Sequence, residues 1–174
     1  MRSYPFLLRF DANGNFIEQI RISNQNTLLQ PSLVAINEST AYAYMRNNNK
    51  KDKILYRQTT IDGGLHWSNL QATNMTNPDS SLVVAKITKN KLLMVYNIAA
   101  PTGNRGKLAL ATSDDGINWQ QIALLENSPG DEFSYPAIVV NGKQIDITYT
   151  WSRKNAKHVI KHVRFNLEWL NIAN

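Results

Sequence analysis

Thr60-Ile61-Asp62-Gly63-Gly64-Leu65-His66-Trp67 reads Thr-x-Asp-x-Gly-x-x-Trp, and Thr112-Ser113-Asp114-Asp115-Gly116-Ile117-Asn118-Trp119 repeats it 52 residues later. An octet of this composition is a hairpin turn. Its glycine permits a positive φ that a side chain resists. Its aspartate accepts backbone N–H bonds and locks the bend. Its tryptophan buries a large ring against the neighbouring layer. Each turn offers too few oxygens to hold calcium, so the aspartates read as structural.

Two degenerate copies extend the series. Stepping 51 residues back from Asp62 reaches Asp11, in Arg9-Phe10-Asp11-Ala12-Asn13-Gly14-Asn15-Phe16. Stepping 52 forward from Asp114 reaches Asn166, in Arg164-Phe165-Asn166-Leu167-Glu168-Trp169. A period of this length is that of a propeller blade.

Between the turns the chain reads as strands. First and second strands are Leu33–Ile36 with Tyr42–Met45, Leu82–Ile87 with Leu92–Tyr96, and Ala137–Val140 with Gln144–Trp151, the last pair joined by Asn141-Gly142. Third strands are Lys53–Thr59, Lys107–Ala111 and His158–Arg164. Fourth strands are His66–Gln71, Trp119–Leu125 and Leu167–Ile172. No amphipathic helix is expected. The prediction is an all-β chain of β-propeller blades, each of four antiparallel strands, about three and a half blades in all. They are a hairpin of a preceding blade at 1–23 and blades at 28–71, 80–125 and 134–172.

Bulk properties bound the rest. The chain has 174 residues, 43% hydrophobic and 18% charged, which suits one globular domain. Its formal charge of +6 favours acidic partners. The absence of cysteine excludes disulfides and thiolate metal sites. No apolar run is long enough to span a membrane, and no signal-peptide pattern opens the sequence, which leaves localisation undetermined. No aromatic–basic stripe suggests nucleic acid. No cofactor is expected, and on a strand His158 and His162 merely share a face.

The turns resemble the Asp box, and the chain resembles the sialidase-like BNR-repeat family over nearly its whole length. Leu29–Val34, Asn77–Ser81, Arg105–Leu110, Phe133–Ile138 and Tyr149–Arg153 carry the likeness beyond the turns. The resemblance implies the C-terminal half of a six-bladed propeller. It also implies arginines that bind a substrate carboxylate, a tyrosine nucleophile activated by a glutamate, and an acid/base aspartate in the N-terminal half. Tyr135 matches the nucleophile's position and Arg105 the second arginine. The activating glutamate's position falls near Ser81, where Asp79 is the nearest carboxylate.

Repeat register adds candidates. Gln30, Ser80 and Tyr135 each stand just before a first strand, and Arg46-Asn47, Asn97 and Arg153 close the second strands. With Arg105, on the long loop Ala99–Gly106, these residues belong to the face away from the turns. Guanidinium groups there suit the carboxylate of an acidic carbohydrate. Glu132 or Asp131 reaches Tyr135 if their loop folds back. The expected function is recognition of an acidic carbohydrate, as a glycoside hydrolase with Tyr135 as nucleophile. The alternatives are a uronate-directed polysaccharide lyase and a non-catalytic binding or scaffold module. Three and a half blades leave faces uncovered, so self-association or further blades in a longer chain are expected.

Overall fold

The computed structural model describes residues 3–99, 104–153 and 158–172. Strands β1 (Phe6–Phe10) and β2 (Phe16–Arg21) form a hairpin. Strands β3 (Leu28–Ala35), β4 (Ala41–Asn47), β5 (Ile54–Thr60) and β6 (Gln71–Thr76) form an antiparallel sheet in that order. Strands β7 (Val83–Thr88), β8 (Lys91–Asn97), β9 (Lys107–Ser113) and β10 (Gln120–Asn127) form the next. Strands β11 (Glu132–Asn141), β12 (Gln144–Ser152) and β13 (His158–Asn166) form the last, followed by the short helix α1 (Leu167–Ile172). The first strands β3, β7 and β11 are neighbours, as in blades set around an axis.

Alternation dictates this stacking. On β12, Ile145, Ile147 and Tyr149 are buried while Thr148 faces out, so only one face of the last sheet is covered. On β8 every residue from Leu92 to Asn97 is buried. Leu92, Met94 and Tyr96 pack toward Val34, Tyr44 and Leu55 of the preceding sheet. Leu93 and Val95 pack toward Phe133, Ile145 and Ile147 of the following one. A middle blade buries both faces, which is why its strand is a continuous apolar run. Each fully buried Leu or Ile stabilises this stack by about 1.5–3 kcal/mol.

The turns hold as hairpin locks, with one change of register. Asp62 Oδ1 accepts the His66 N–H at 3.0 Å and the Thr60 hydroxyl at 2.8 Å. In the second copy the locking carboxylate is Asp115, not Asp114. Asp115 Oδ1 accepts the Ile117 and Asn118 N–H groups at 2.8 and 2.7 Å and the Ser113 hydroxyl at 3.1 Å. Thr60 and Ser113 are therefore equivalent, and the second turn is one residue shorter. Asp114 points outward and pairs with Lys91 at 3.3 Å. Asp11 repeats the lock by accepting the Asn13 and Asn15 N–H groups. Trp119 is buried, edge-on to Tyr44 of the previous sheet at 5.6 Å.

Two expected fourth strands are corrected. That of the first full sheet is Gln71–Thr76, not His66–Gln71, because Trp67–Leu70 is held as a loop. There Gln58 Nε2 donates to the Ser68 carbonyl at 2.6 Å, and Ser68 N donates to the Thr59 carbonyl. The blade expected to end at residue 71 thus continues as strand to Thr76. Leu167–Ile172 is a helix, not a strand. Asn166 caps it, its Oδ1 accepting the Trp169 N–H at 2.8 Å, while Leu170 is buried against the last sheet. The last copy of the turn series is therefore a helix cap.

Candidate functional site

The first strands open on a shared backbone device. Among the described residues, the non-glycine positions with positive φ are Gln30 (46°), Asp79 (61°) and Tyr135 (53°). Gln30 and Tyr135 lie inside β3 and β11 rather than just before them, at β-bulges where the β3–β4 register shifts between Leu29 and Pro31 and the β11–β12 register between Ser134 and Ala137. Asp79, not Ser80, is the residue of the middle blade that shares this conformation. Bulges with left-handed residues re-aim side chains, and such strain concentrates at functional sites.

Two arginines lace these openings together. Arg46, paired across from Leu29 on β4, donates from Nε to Asp79 Oδ1 at 2.6 Å and from Nη1 to Gln30 Oε1 at 3.0 Å. Arg105 donates from Nη1 to Glu132 Oε1 at 2.8 Å and from Nη2 to the Asp79 carbonyl at 2.8 Å. Their side chains are 17% and 19% exposed, so the charges are held at the surface yet largely desolvated. A guanidinium has five N–H donors, so each keeps donors beyond the two committed here.

Arg105 and Glu132 line a cleft of about 360 Å³ with Asn104, Asp131, Ser152 and Arg153. Arg153 lies over the Trp151 ring at 4.8 Å, and Lys161 approaches that ring at 5.0 Å. Trp151 Nε1 donates to Asp131 Oδ2 at 3.0 Å. Arg105, Arg153 and Glu132 are therefore brought together, with Arg46 joined to them through Asp79. Tyr135 is 53% exposed, and its N–H donates to Ser81 Oγ at 3.0 Å.

Asn97 takes a different place. Its side chain is fully buried, and its amide donates to the carbonyls of Phe133, Lys107 and Arg105. It ties two blades and fixes the Arg105 backbone. Asn47 closes β4 in the same way, donating to the Asp52 and Ile54 carbonyls. The loop Ala99–Gly106 lies partly outside the described residues. His162 pairs with Asp146 at 2.6 Å and His158 with Ser152 at 2.6 Å. Among the described residues no three metal-ligating side chains gather, and no helix is long and apolar enough to cross a membrane.

Arg164, Gln144 and His162 donate to Asp146 and lower its pKa to about 2. Burial raises the Tyr149 phenol far above its usual range, reinforced by its 2.5 Å bond to Glu126. Burial raises Tyr96 to about 12. Register named Gln30, and Asp79 was noted as the nearest carboxylate, but their contacts with the arginines and the role of Trp151 as a platform were not expected. The Gln-Pro and Asn-Pro-Asp turns before the first strands are the signal that points to the first two.

A family model described as a BNR repeat-like domain matches residues 1–147. No curated protein sequence is significantly similar to the chain. The NanB sialidase from Streptococcus pneumoniae superposes with a TM-score of 0.72 at 11% identity, covering 96% of this chain and 28% of that one. The GH93 alpha-L-arabinofuranosidase of Fusarium graminearum, in complex with arabinobiose, superposes with a TM-score of 0.63 at 14% identity, covering 80% and 45%. The alpha-L-arabinanase of Penicillium chrysogenum, also with arabinobiose, gives 0.59 at 15%, covering 80% and 46%. The chain thus spans less than half the length of each of these glycoside hydrolases, and the likeness is one of fold. With its repeating turns, stacked sheets and a family model over residues 1–147, the chain belongs to the BNR repeat-like domain family.

Proposed function

We propose that this chain forms part of a sialidase-like propeller that recognises an acidic carbohydrate through Arg105, with Arg46 and Arg153 beside it. One observation carries this reading. Two guanidinium groups from successive blades are pinned, part-buried, at the left-handed openings of the first strands. Donors fixed before a ligand arrives lose little freedom on binding, and a planar guanidinium matches a carboxylate.

As a glycoside hydrolase, Tyr135 is the nucleophile. Its oxygen forms the bond to the anomeric carbon, the leaving group departs with a proton from an acid on blades outside this chain, and Glu132 takes the phenol proton. A second reading, a non-catalytic binding module, is favoured by a specific contact: Glu132 is paired with Arg105. In either case the ring needs further blades, from a second copy or a longer chain.

The test is a thermal-shift panel of sialosides and uronates against the wild type and Arg105→Ala. A stabilising sugar whose effect vanishes in Arg105→Ala supports the reading. No shift with any acidic sugar removes it.

A further inference from the structure

We infer that Asp79 is a positioning residue of this site, setting the two arginines from one point. The inference rests on the acidic-carbohydrate reading for its functional part, and on geometry for the rest. Asp79 uses two different atoms to hold arginines from two different blades. Its carboxylate takes Arg46 Nε at 2.6 Å, and its own backbone carbonyl takes Arg105 Nη2 at 2.8 Å. No other described residue is bonded to both arginines.

The backbone is bent to make this possible. At φ 61° the residue sits in a region that side chains resist, though Asp and Asn tolerate it better than most. The neighbouring chain is held by buried bonds: Asn77 Oδ1 accepts the Ser80 N–H at 3.0 Å, and Asn77 Nδ2 donates to the Ser80 carbonyl at 2.9 Å. Asn77 and Ser80 are both buried, while the Asp79 side chain is 39% exposed. A rigid frame therefore carries a carboxylate outward onto Arg46. A residue serving only the turn needs no bond to a guanidinium, and glycine fills a left-handed position with less strain.

Asparagine and glycine separate the two roles. Asparagine tolerates the same φ and keeps an oxygen for Arg46 Nε. Glycine keeps the bend and the carbonyl bond to Arg105 but releases Arg46 Nε, leaving Arg46 held only through Nη1 by Gln30. Both variants are expected to melt within about 3 °C of the wild type.

The first readout needs no ligand. The Arg46 Nε–Hε proton should exchange slowly in the wild type and Asp79→Asn, and at least tenfold faster in Asp79→Gly. The second uses two probes, the methyl glycoside of N-acetylneuraminic acid and galacturonate, by titration calorimetry. For whichever probe binds, Asp79→Asn should keep affinity within about threefold and Asp79→Gly should lose at least tenfold. Equal Arg46 exchange in wild type and glycine variant overturns the inference. So does equal affinity, or an asparagine variant as weak as glycine. Silence of the wild type toward both probes counts against the site reading alone, because the exchange readout still decides the role of Asp79.

Discussion

Replacing Gly116 by alanine tests whether the second turn is locked against the preceding blade. Gly116 has φ +72°, and a Cβ built there lies 2.5 Å from the Tyr44 hydroxyl oxygen and 3.0 Å from Arg57 Nη1. Tyr44 is fully buried and donates to the Gly116 carbonyl at 2.8 Å, so it cannot step aside freely. The left-handed conformation costs alanine about 1–2 kcal/mol. Displacing a packed, hydrogen-bonded tyrosine adds about 1–3 kcal/mol. The internal control is Gly63, which has the same φ of +72° in the first turn but nothing within 4 Å of its Cβ. Gly63→Ala should therefore lose only the conformational part, about 1–2 kcal/mol. At about 2–4 °C per kcal/mol for a chain of this size, Gly116→Ala should melt roughly 10 °C lower and Gly63→Ala roughly 4 °C lower. Calorimetry on both proteins measures this. In a Tyr44→Phe background the hydroxyl contact is gone, so the added cost of Gly116→Ala should fall toward that of Gly63→Ala. Equal losses at the two glycines, or no coupling to Tyr44, would refute the packing described here.

Asp115→Asn should cost about 1 kcal/mol in urea unfolding because an amide oxygen replaces a carboxylate that accepts two N–H groups, whereas Asp114→Asn should be neutral; the reverse order would restore the sequence register of the turn. Melting temperature should be flat near neutrality and fall at both extremes of pH. On the acid side, Asp146 has a folded pKa of about 2, lowered by Arg164, Gln144 and His162, so its contribution is complete above the unfolded value and is lost as pH falls through about 2. On the alkaline side, burial raises Tyr96 to about 12, so its contribution is complete below the unfolded value near 10 and is lost as pH rises toward 12. A melting temperature that rises below pH 4 would contradict this assignment. Tyr135→Phe should abolish release of a leaving group from any glycoside the protein cleaves while leaving affinity within about threefold; unchanged turnover would exclude Tyr135 as nucleophile.

The blades were legible because two independent periods agree: turns about 52 residues apart, and alternation within strands such as Ile145–Tyr149. What the pattern misplaced has local causes. The fourth strand after Trp67 is delayed because Ser68 and Gln58 bind the backbone into a loop, a tertiary choice that alternation does not encode. Leu167–Ile172 is apolar at spacings that suit either a strand or one helical turn, and the Asn166 cap decides for the helix. Asp114 and Asp115 are adjacent carboxylates, and one residue fewer in the loop selects the second. In the site, the arginines, Gln30 and Glu132 were visible by type and register, but which of them pair was not. Asp79 meets Arg46 across blades and Gln30 meets it from the neighbouring strand, and both contacts involve positive φ angles that only coordinates reveal. Asn97 was grouped with the arginines by register, yet its buried amide serves the backbone.

The most direct measurement is an NMR titration of the arginine Nε–Hε resonances with a sialoside and a uronate. Arg105 and Arg153, which share the cleft, and Arg46, linked through Asp79, should shift saturably with one ligand and one affinity. Arg9 and Arg164, paired with Glu18 and Asp146 away from that cleft, should stay still. Movement of all five together, or of none, would contradict a carbohydrate site built on these openings.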